Sequence, residues 1–417
     1  MRGTRKDWWL KILGLLLVFA VIASACGDDD EGSDSASGDD ASDSSGDDSS
    51  GDDSSDDGTG DGTADDGGDD PLAGCGEGAV TDLSPDREVA RCEPGYPAPQ
   101  PLEERASVRL ATNFWGFEFT APYVLALELG EFEKENLDVE VVTGVSLADG
   151  IVQMEDCTVD ITVGGTEASL HNGIAAGLTV KQVIGNYFPP DAGDTSIDQT
   201  GLWARADAFT DPENPDLTEL RGTTLGTAVA LGSVINYPIG LAFQEAGVSL
   251  LDLDMEVIPS ADLPLALENG AVQSAWVLDP IWLQLADNPD YVLVATQPPG
   301  EALGGLYASA CFREDRREVA VAFIRALIRT MNTYLAEGYK TNNVEELQVL
   351  ADVADIPLES FTGTPETLMD WEMGEGTSER AQGFFMEYGV LEYDEIIPED
   401  QVYDRSIYLE AVRGPEG

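Results

Sequence analysis

Basic residues are scarce in this sequence. It has 21 lysine and arginine residues against 80 aspartate and glutamate residues, and its formal net charge is −59 at pH 7. A surface with so much negative charge repels nucleic acid and anionic lipid, so neither is expected as a direct partner. Net charge carries no information about the fold.

Histidine is nearly absent, and cysteine is rare. The only histidine is His171, and the five cysteines form neither a CxxC motif nor a Cys/His cluster, so no metal site is predicted. The position of His171 suggests no Ser/His/Asp or Cys/His pair. We therefore expect a protein that works without a metal, nucleotide or redox cofactor.

The apolar run near the N-terminus, Ile12 to Ile22, is shorter than the roughly 20 residues that a membrane-spanning helix needs. Basic residues precede it, and a short segment of small residues leads from it to Cys26. Residues 1–26 resemble a bacterial lipoprotein signal, in which Cys26 becomes the lipidated N-terminus. An ordinary signal peptide cut near Ala25 is the alternative.

Residues 27–72 have a composition that cannot form a core. From Gly27 to Asp70 there are eighteen aspartates, one glutamate and no basic residue. Because such a segment buries no apolar surface and repels itself, it is predicted to be a disordered, extended tether. A calcium-binding tract is the alternative, but the regular ligand spacing of calcium loops is missing.

The cysteines are expected to form disulfides. If Cys26 carries lipid, four cysteines remain, and an exported protein favours their pairing. Three pairings are possible. We prefer Cys75 with Cys92, because this bond closes a short local loop, and that choice leaves Cys157 with Cys311.

Alternating strands and helices are predicted for the rest of the chain. The first unit, Val108 to Phe132, has an alternating strand, a loop rich in aromatic residues, and an apolar helix with Pro122 in its first turn and Gly130 at its end. Strands separated by helices of about ten residues favour a parallel sheet. Further strands are predicted at 137–142, 159–163, 179–185, 201–206, 224–227, 254–258, 274–278, 291–295 and 304–312, and helices at 147–155, 168–176, 217–222, 234–246, 261–268, 281–286 and 316–337.

The order of these segments resembles the extracytoplasmic solute-binding proteins of ABC importers, in the branch for nitrate, sulfonates, taurine and thiamine-pyrimidine precursors. The resemblance covers roughly residues 107–337 and depends on the order and spacing of several short segments. Cys157 departs from it, because the turn before the third strand often carries glycine in this family. The matching segments are APYVLALELGEFEKENLDVEVV, DITVGGTEASLHNGIAAGLTVKQVIG, LTELRGTTLGT, GSVINYPIGLAFQEAGV and ADLPLALENGAVQSAWVLDP.

The resemblance implies an α/β, two-lobed periplasmic-binding-protein-like (type II) fold with mixed sheets and two hinge crossovers. Lobe I would comprise residues 107–190 and 303–417, and lobe II residues 200–298, after an irregular lead-in at 73–106. The implied partners are a small-molecule solute and the permease and ATPase subunits of an ABC importer. A monomer is expected, held by its lipid anchor at the extracytoplasmic face of the membrane, and no enzymatic activity is implied.

Four loops at strand ends are predicted to form the solute site, because ligands of open α/β sheets bind beyond the carboxyl ends of the strands. Gly232 and Ser233 are predicted at a helix N-terminus, where free N–H groups can hold a polar group. Trp115 and Trp276 are expected to face each other across the cleft. The candidate ligand-binding residues are Asn113, Phe114, Trp115, Glu118, Thr166, Glu167, Asn186, Tyr187, Gly232, Ser233, Trp276 and Asp279.

These loops favour one class of solute. They offer aromatic faces, the carboxylates of Glu118, Glu167 and Asp279, and almost no lysine or arginine. A nitrate or sulfonate site would need a cation or several donors, so a flat pyrimidine-like heterocycle or an amine is predicted instead. Structural interpretations stay open as well, with Trp276 in the core, the carboxylates solvated and Gly232-Ser233 as an ordinary helix cap.

Two other functions stay open at this point. A ligand-sensing surface lipoprotein would use the same cleft. An enzyme similar to a thiamine-pyrimidine synthase would need a histidine, and His171, on the helix after the third strand, is the only one. A helix-surface or core position for His171 is the simpler interpretation, and an export signal with a lipid tether fits capture better than synthesis.

Overall fold

The computed structural model describes residues 75, 91–113, 115–116, 118–188, 193–298 and 304–413, with only the backbone described at Tyr187 and Phe188. The chain divides into two units, residues 1–66 and 67–417, and every described residue belongs to the second unit. The predicted lipoprotein signal with Cys26 and the predicted tether at 27–72 therefore lie outside the described residues.

Strands and helices alternate through the described part of the chain. Three elements, Leu147–Glu155, Thr224–Thr227 and Tyr291–Ala295, coincide with their predicted ranges. The strands are β1 (Ala106–Thr112), β2 (Leu137–Thr143), β3 (Ile161–Gly165), β4 (Lys181–Gly185), β5 (Tyr187–Phe188), β6 (Gly201–Arg205), β7 (Thr224–Thr227), β8 (Asp254–Val257), β9 (Ser274–Val277), β10 (Tyr291–Ala295), β11 (Gly304–Ala308) and β12 (Leu368–Met369). The helices are α1 (Ala121–Glu128), α2 (Leu147–Glu155), α3 (Ala168–Ala175), α4 (Asn236–Glu245), α5 (Leu263–Glu268), α6 (Ala310–Arg313), α7 (Arg317–Tyr334), α8 (Tyr339–Asn342), α9 (Val344–Ala354), α10 (Glu359–Thr362), α11 (Thr377–Glu387), α12 (Glu399–Val402) and α13 (Ser406–Arg413).

Two five-stranded mixed sheets organise the fold. The first has the order β2-β1-β3-β11-β4, with β1 parallel to β2 and β3, and β11 antiparallel to β3 and β4. The second has the order β10-β6-β9-β7-β8, with β7 parallel to β8 and β9, and β6 antiparallel to β9 and β10. The chain leaves the first sheet after β4 and returns to it at β11, so two crossovers join the sheets. We name the parts built on the first and second sheets lobe I and lobe II.

The amphipathic helix α7 forms much of the lobe I core. Phe323, Leu327 and Met331 recur every four residues and are fully buried, as the sequence pattern predicts. Phe323 stacks on Phe132 with the ring centroids 4.6 Å apart. Each such side chain contributes about 1.5–3 kcal/mol by leaving water, so this face fixes α7 against the sheet.

A buried ion cluster lies on α7. The Arg329 side chain is 3% exposed and lies 2.7 Å from both Glu131 and Glu135. Arg325 lies 2.9 Å from Glu135 and Lys134 lies 2.6 Å from Glu131, so three cationic side chains surround two carboxylates. Burial works to raise the pKa of Glu131, but hydrogen bonds, including one from Arg329, hold that pKa below its ordinary value.

The segment before β1 is fastened to the same helix. The Cys92 amide donates to Asn332 Oδ1 at 3.0 Å, and Asn332 Nδ2 donates to the Tyr96 carbonyl at 2.9 Å. Arg329 also donates to the Pro97 carbonyl at 3.0 Å. This part of the predicted irregular lead-in therefore packs on lobe I.

Both expected disulfides are present. Cys75 is bonded to Cys92, and Cys157 is bonded to Cys311. The second bond joins the turn before β3 to α6, two segments 154 residues apart in the chain. The preferred pairing is confirmed.

The strand predicted at 304–312 is shorter than expected. It ends at Ala308, and α6 follows, because the buried side chain of Arg313 folds the chain back. Arg313 donates to the carbonyls of Ala308 and Thr179 and to Asp404 at 2.6–3.1 Å.

Among the described residues, no helix has both the length and the apolar character needed to cross a bilayer.

Candidate functional site

The loop after β1 packs closely against lobe I. Asn113 is exposed, and Trp115 is half-buried against the lobe I core. Gly116 has φ +86°, and a Cβ there would lie 2.8 Å from Ala354 Cα at the end of α9, so only glycine fits this turn. Phe114, predicted to bind ligand, lies outside the described residues.

Glu118 is the buried carboxylate of this loop. It is 7% exposed, and its two oxygens lie 2.8 and 2.9 Å from the Lys340 ammonium group of α8. The Tyr339 hydroxyl donates a further hydrogen bond. Burial raises the pKa of Glu118 above its ordinary value; Lys340 opposes this shift and Asp279 adds to it. The negative charge of Asp279 therefore acts on Glu118, although the two residues follow strands of different lobes.

Asp279 is the lobe II counterpart of Glu118. It follows β9, and its carboxylate accepts hydrogen bonds from Thr200 Oγ1 at 3.0 Å and from Trp282 Nε1. Burial raises the pKa of Asp279, while Trp282, Lys340 and Thr200 lower it. Asp279 retains accessible surface although it follows directly on Leu278 and the fully buried strand β9.

The two lobes meet again where Glu167 and Ala168 contact Gly232 and Ser233. The Ala168 amide donates to the Gly232 carbonyl at 2.9 Å, and Ser233 Oγ donates to Glu167 at 3.4 Å. Burial raises the pKa of Glu167, and hydrogen bonds from serine hydroxyls lower it. Predicted residues from opposite lobes are thus brought together at this contact.

The predicted helix start at Gly232-Ser233 needs correction. Helix α4 begins at Asn236, so both residues lie in the turn before it. The Ser233 amide donates to the Ala230 carbonyl at 3.2 Å and is not a free N–H group. The turn serves the contact between the lobes through the Gly232 carbonyl and the Ser233 hydroxyl.

Two buried hydroxyl groups come from neighbouring strands, Thr166 from the carboxyl end of β3 and Tyr307 from β11 beside it. Thr166 is 1% exposed and Tyr307 is fully buried, and neither hydroxyl has a hydrogen-bond partner of normal geometry. Burial raises the pKa of Tyr307, with Thr166 lowering it and Glu167 raising it, so the three side chains are neighbours. The sequence pattern missed Tyr307, because a tyrosine in a strand is indistinguishable from a core residue.

Asn186 and Tyr187 have structural partners. Asn186 is 1% exposed, donates to the Phe119 carbonyl at 3.0 Å and accepts from the Tyr123 hydroxyl at 3.5 Å. It therefore ties the aromatic loop to the end of β4. Tyr187 pairs with Met369 in the small sheet of β5 and β12.

Trp276 does not face Trp115 across a cleft. It is 3% exposed and packs in a hydrophobic cluster with Leu202 and Tyr237 of lobe II. Position 276 is central in β9, a strand buried along its whole length. A strand buried on both faces gives no sequence signal that separates a core tryptophan from a ligand-facing one.

A cavity of about 560 Å³ opens elsewhere on lobe II. Its lining includes Asp198, Trp203, Asp287 and Tyr291, and none of the predicted ligand residues. We assign the cavity no role.

Among the described residues, no group of three or more His, Cys, Asp and Glu side chains could hold a metal ion.

The buried His171 should make the free energy of unfolding depend on pH. It is fully buried on α3, 3.1 Å from Ser378 Oγ, and burial lowers its pKa to about 4. Because the folded pKa lies below the unfolded value of about 6.5, protons bind the unfolded chain first, and stability falls as pH drops from 6.5 towards 4. His171→Gln should remove about 2.5 kcal/mol of this fall, as measured by urea unfolding at pH 7 and pH 4.5. An equal fall in both proteins would contradict the assignment, and carboxylates shared by both proteins cancel in the comparison.

Comparison with known proteins identifies the fold. No family model matches the chain, and no curated protein matches it by sequence. Solved structures match it as a periplasmic binding protein fold, which confirms the predicted α/β, two-lobed fold class.

The matching structures include two proteins of the predicted branch. The alkanesulfonate-binding protein SsuA from Xanthomonas axonopodis pv. citri, bound to MOPS, gives a TM-score of 0.56 at 15% identity, over 73% of this chain and 100% of that chain. The periplasmic nitrate-binding protein NrtA from Synechocystis PCC 6803 gives 0.57 at 15% identity, over 76% and 90%. A conserved gene product of Candida albicans with the generic periplasmic binding protein fold gives 0.51 at 16% identity, over 72% and 96%. At these identities the likeness shows the fold alone.

Proposed function

We propose that this protein is the extracytoplasmic solute-binding component of an ABC importer. It would be anchored through a lipid on Cys26 and capture a flat or amine-bearing organic solute between its lobes. The observation that carries this proposal is that two carboxylates from different lobes, the buried Glu118 of lobe I and the half-buried Asp279 of lobe II, both lie within the electrostatic influence of Lys340, which is bonded to Glu118. The permease and ATPase subunits of an importer would be its partners.

The charge balance of this cluster favours a cationic or hydrogen-bond-donating solute. Lys340 was absent from the predicted site, but its ammonium group is already committed to protein acceptors. It donates to Glu118 at 2.9 Å, to Thr364 Oγ1 at 2.8 Å and to the Pro365 carbonyl at 2.7 Å. An ammonium group has three donors, so Lys340 has none left for an anion. Because Asp279 adds a second carboxylate, the cluster carries excess negative charge.

Capture would combine this cluster with the second contact between the lobes. Glu167 adds another carboxylate, and the buried hydroxyls of Thr166 and Tyr307 could each bond a polar atom of the solute. A solute touching groups from both lobes stabilises the arrangement in which the lobes are together. Neutral hydroxyls can accept or donate, so they suit ring nitrogens and exocyclic amines alike.

Calorimetry with three probes tests the solute class. We expect an aminopyrimidine to bind at least roughly tenfold more tightly than taurine or nitrate, because the anions meet carboxylates and no free cation. Tight binding of taurine or nitrate with no binding of the aminopyrimidine would overturn the proposed class while leaving solute capture intact. Binding of no solute, including those in a cell extract, would overturn capture itself.

The burial of His171 weighs against the enzyme alternative. Its ring is fully buried between α3 and α11, and Nε2 lies beside Ser378. A histidine that supplies its own atoms to a product would need to reach the substrate. Solute capture requires no such residue.

A further inference from the structure

Helix α11 lies between the two lobes. On the lobe I side, Ser378 lies 3.1 Å from His171 of α3, in a fully buried contact. The turn after α11 is also bonded to α3, because Asn172 donates to the Val390 carbonyl at 3.2 Å and accepts from the Glu392 amide at 2.9 Å. Helix α11 is thus attached firmly to lobe I.

The other face of α11 packs on lobe II. Phe384, 4% exposed, meets Tyr237 of α4 edge-to-face with the ring centroids 5.6 Å apart, and its ring also packs against Tyr388 at the end of α11 itself, at 4.6 Å. A Cβ at Gly240 would lie 1.9 Å from the Phe384 ring. Glycine weakens a helix interior, so its presence in the middle of α4 is explained by the space that Phe384 occupies.

Polar contacts border this apolar contact between α11 and lobe II. The Leu250 amide donates to the Tyr388 hydroxyl at 3.2 Å, and Gln244 donates to Glu387 at 2.8 Å. Residues 384–388 therefore pack with lobe II, which differs from the expectation that all of 303–417 belongs to lobe I.

We propose that residues 377–388 form an interlobe latch that keeps the lobes together in the absence of solute. Lobes joined only by crossover segments are expected to move relative to each other unless a hydrophobic interface holds them. Separation of the two lobes requires the Phe384 ring to lose its contact with Gly240, and it exposes apolar surface of both lobes to water. The closed arrangement is therefore the resting state, and the latch does not depend on which solute binds.

Distance measurement by pulsed electron spin resonance tests the latch on the full chain without solute. Spin labels attached to keto amino acids at positions 152 and 265, whose native side chains are 59% and 55% exposed, report on lobe I and lobe II and leave the cysteines unmodified. We expect one narrow distance in the otherwise unchanged protein. With Phe384→Ala, a second, longer distance should make up at least about a third of the distribution.

Phe361→Ala is the matched control, because Phe361 is also 4% exposed but belongs to the lobe I core. It should lower the melting temperature and keep the single distance. A long distance already present without substitution, or an unchanged distance in Phe384→Ala, would overturn the latch. If Phe384→Ala does not fold, Gly240→Ala keeps every side chain of the latch but places a Cβ 1.9 Å from the Phe384 ring, and an unchanged distribution there would overturn it too.

Discussion

Asp279→Asn is expected to weaken binding of an aminopyrimidine by roughly tenfold to a hundredfold, because a charge-assisted hydrogen bond to a desolvated carboxylate is lost. Asparagine keeps the size of the side chain and can still accept from Trp282. The excess negative charge of the cluster around Glu118 and Lys340 disappears. Isothermal titration calorimetry at pH 7 measures the change.

Asp254→Asn is the matched control. Asp254 lies on the exposed edge strand β8 of the same lobe, and removing its charge should leave the affinity within about twofold. Equal weakening by both substitutions would show that overall charge, and not the position of Asp279, attracts the solute. An unchanged affinity in Asp279→Asn would remove Asp279 from the site.

Arg329→Leu should cost about 3–5 kcal/mol of unfolding free energy, since it removes the partner that two buried carboxylates share. Glu135 is fully buried and would keep Arg325, while Glu131 would lose its arginine and keep Lys134 at 2.6 Å. Urea unfolding at pH 7 gives the loss directly.

An exposed pair provides the comparison for this substitution. Arg105 lies 3.2 Å from Asp138, with both side chains more than half exposed, and Arg105→Leu should change stability by less than about 0.5 kcal/mol. Similar losses in the two variants would mean that the buried cluster contributes no more than a surface pair.

Local patterns were sufficient for most of the framework. Helix α2 and strands β7 and β10 have the predicted bounds, because turn residues and apolar spacing act within a few residues. The pairing of Cys157 with Cys311 also followed from so few cysteines. The two-lobed fold came from the order of the segments and not from any single one.

The site was harder to predict, because its chemistry depends on distant segments. Glu118 and Asp279 were selected at strand ends, but Lys340 lies in a C-terminal segment with no strand-end pattern. Trp276 and Tyr307 show the opposite difficulty, because a core residue and a ligand-binding residue give the same sequence pattern in a buried strand. The packing of α11 on lobe II likewise has no local signal beyond a glycine in the middle of α4.

The bonds that fasten residues 92–97 to α7 determine where mechanical load would enter the protein. Any pull transmitted along the chain towards Cys92 is received by Asn332 and Arg329, deep in the lobe I core. A pull on this end of the chain therefore loads lobe I first, and it reaches lobe II only through the crossovers and the contacts between the lobes, including those of α11.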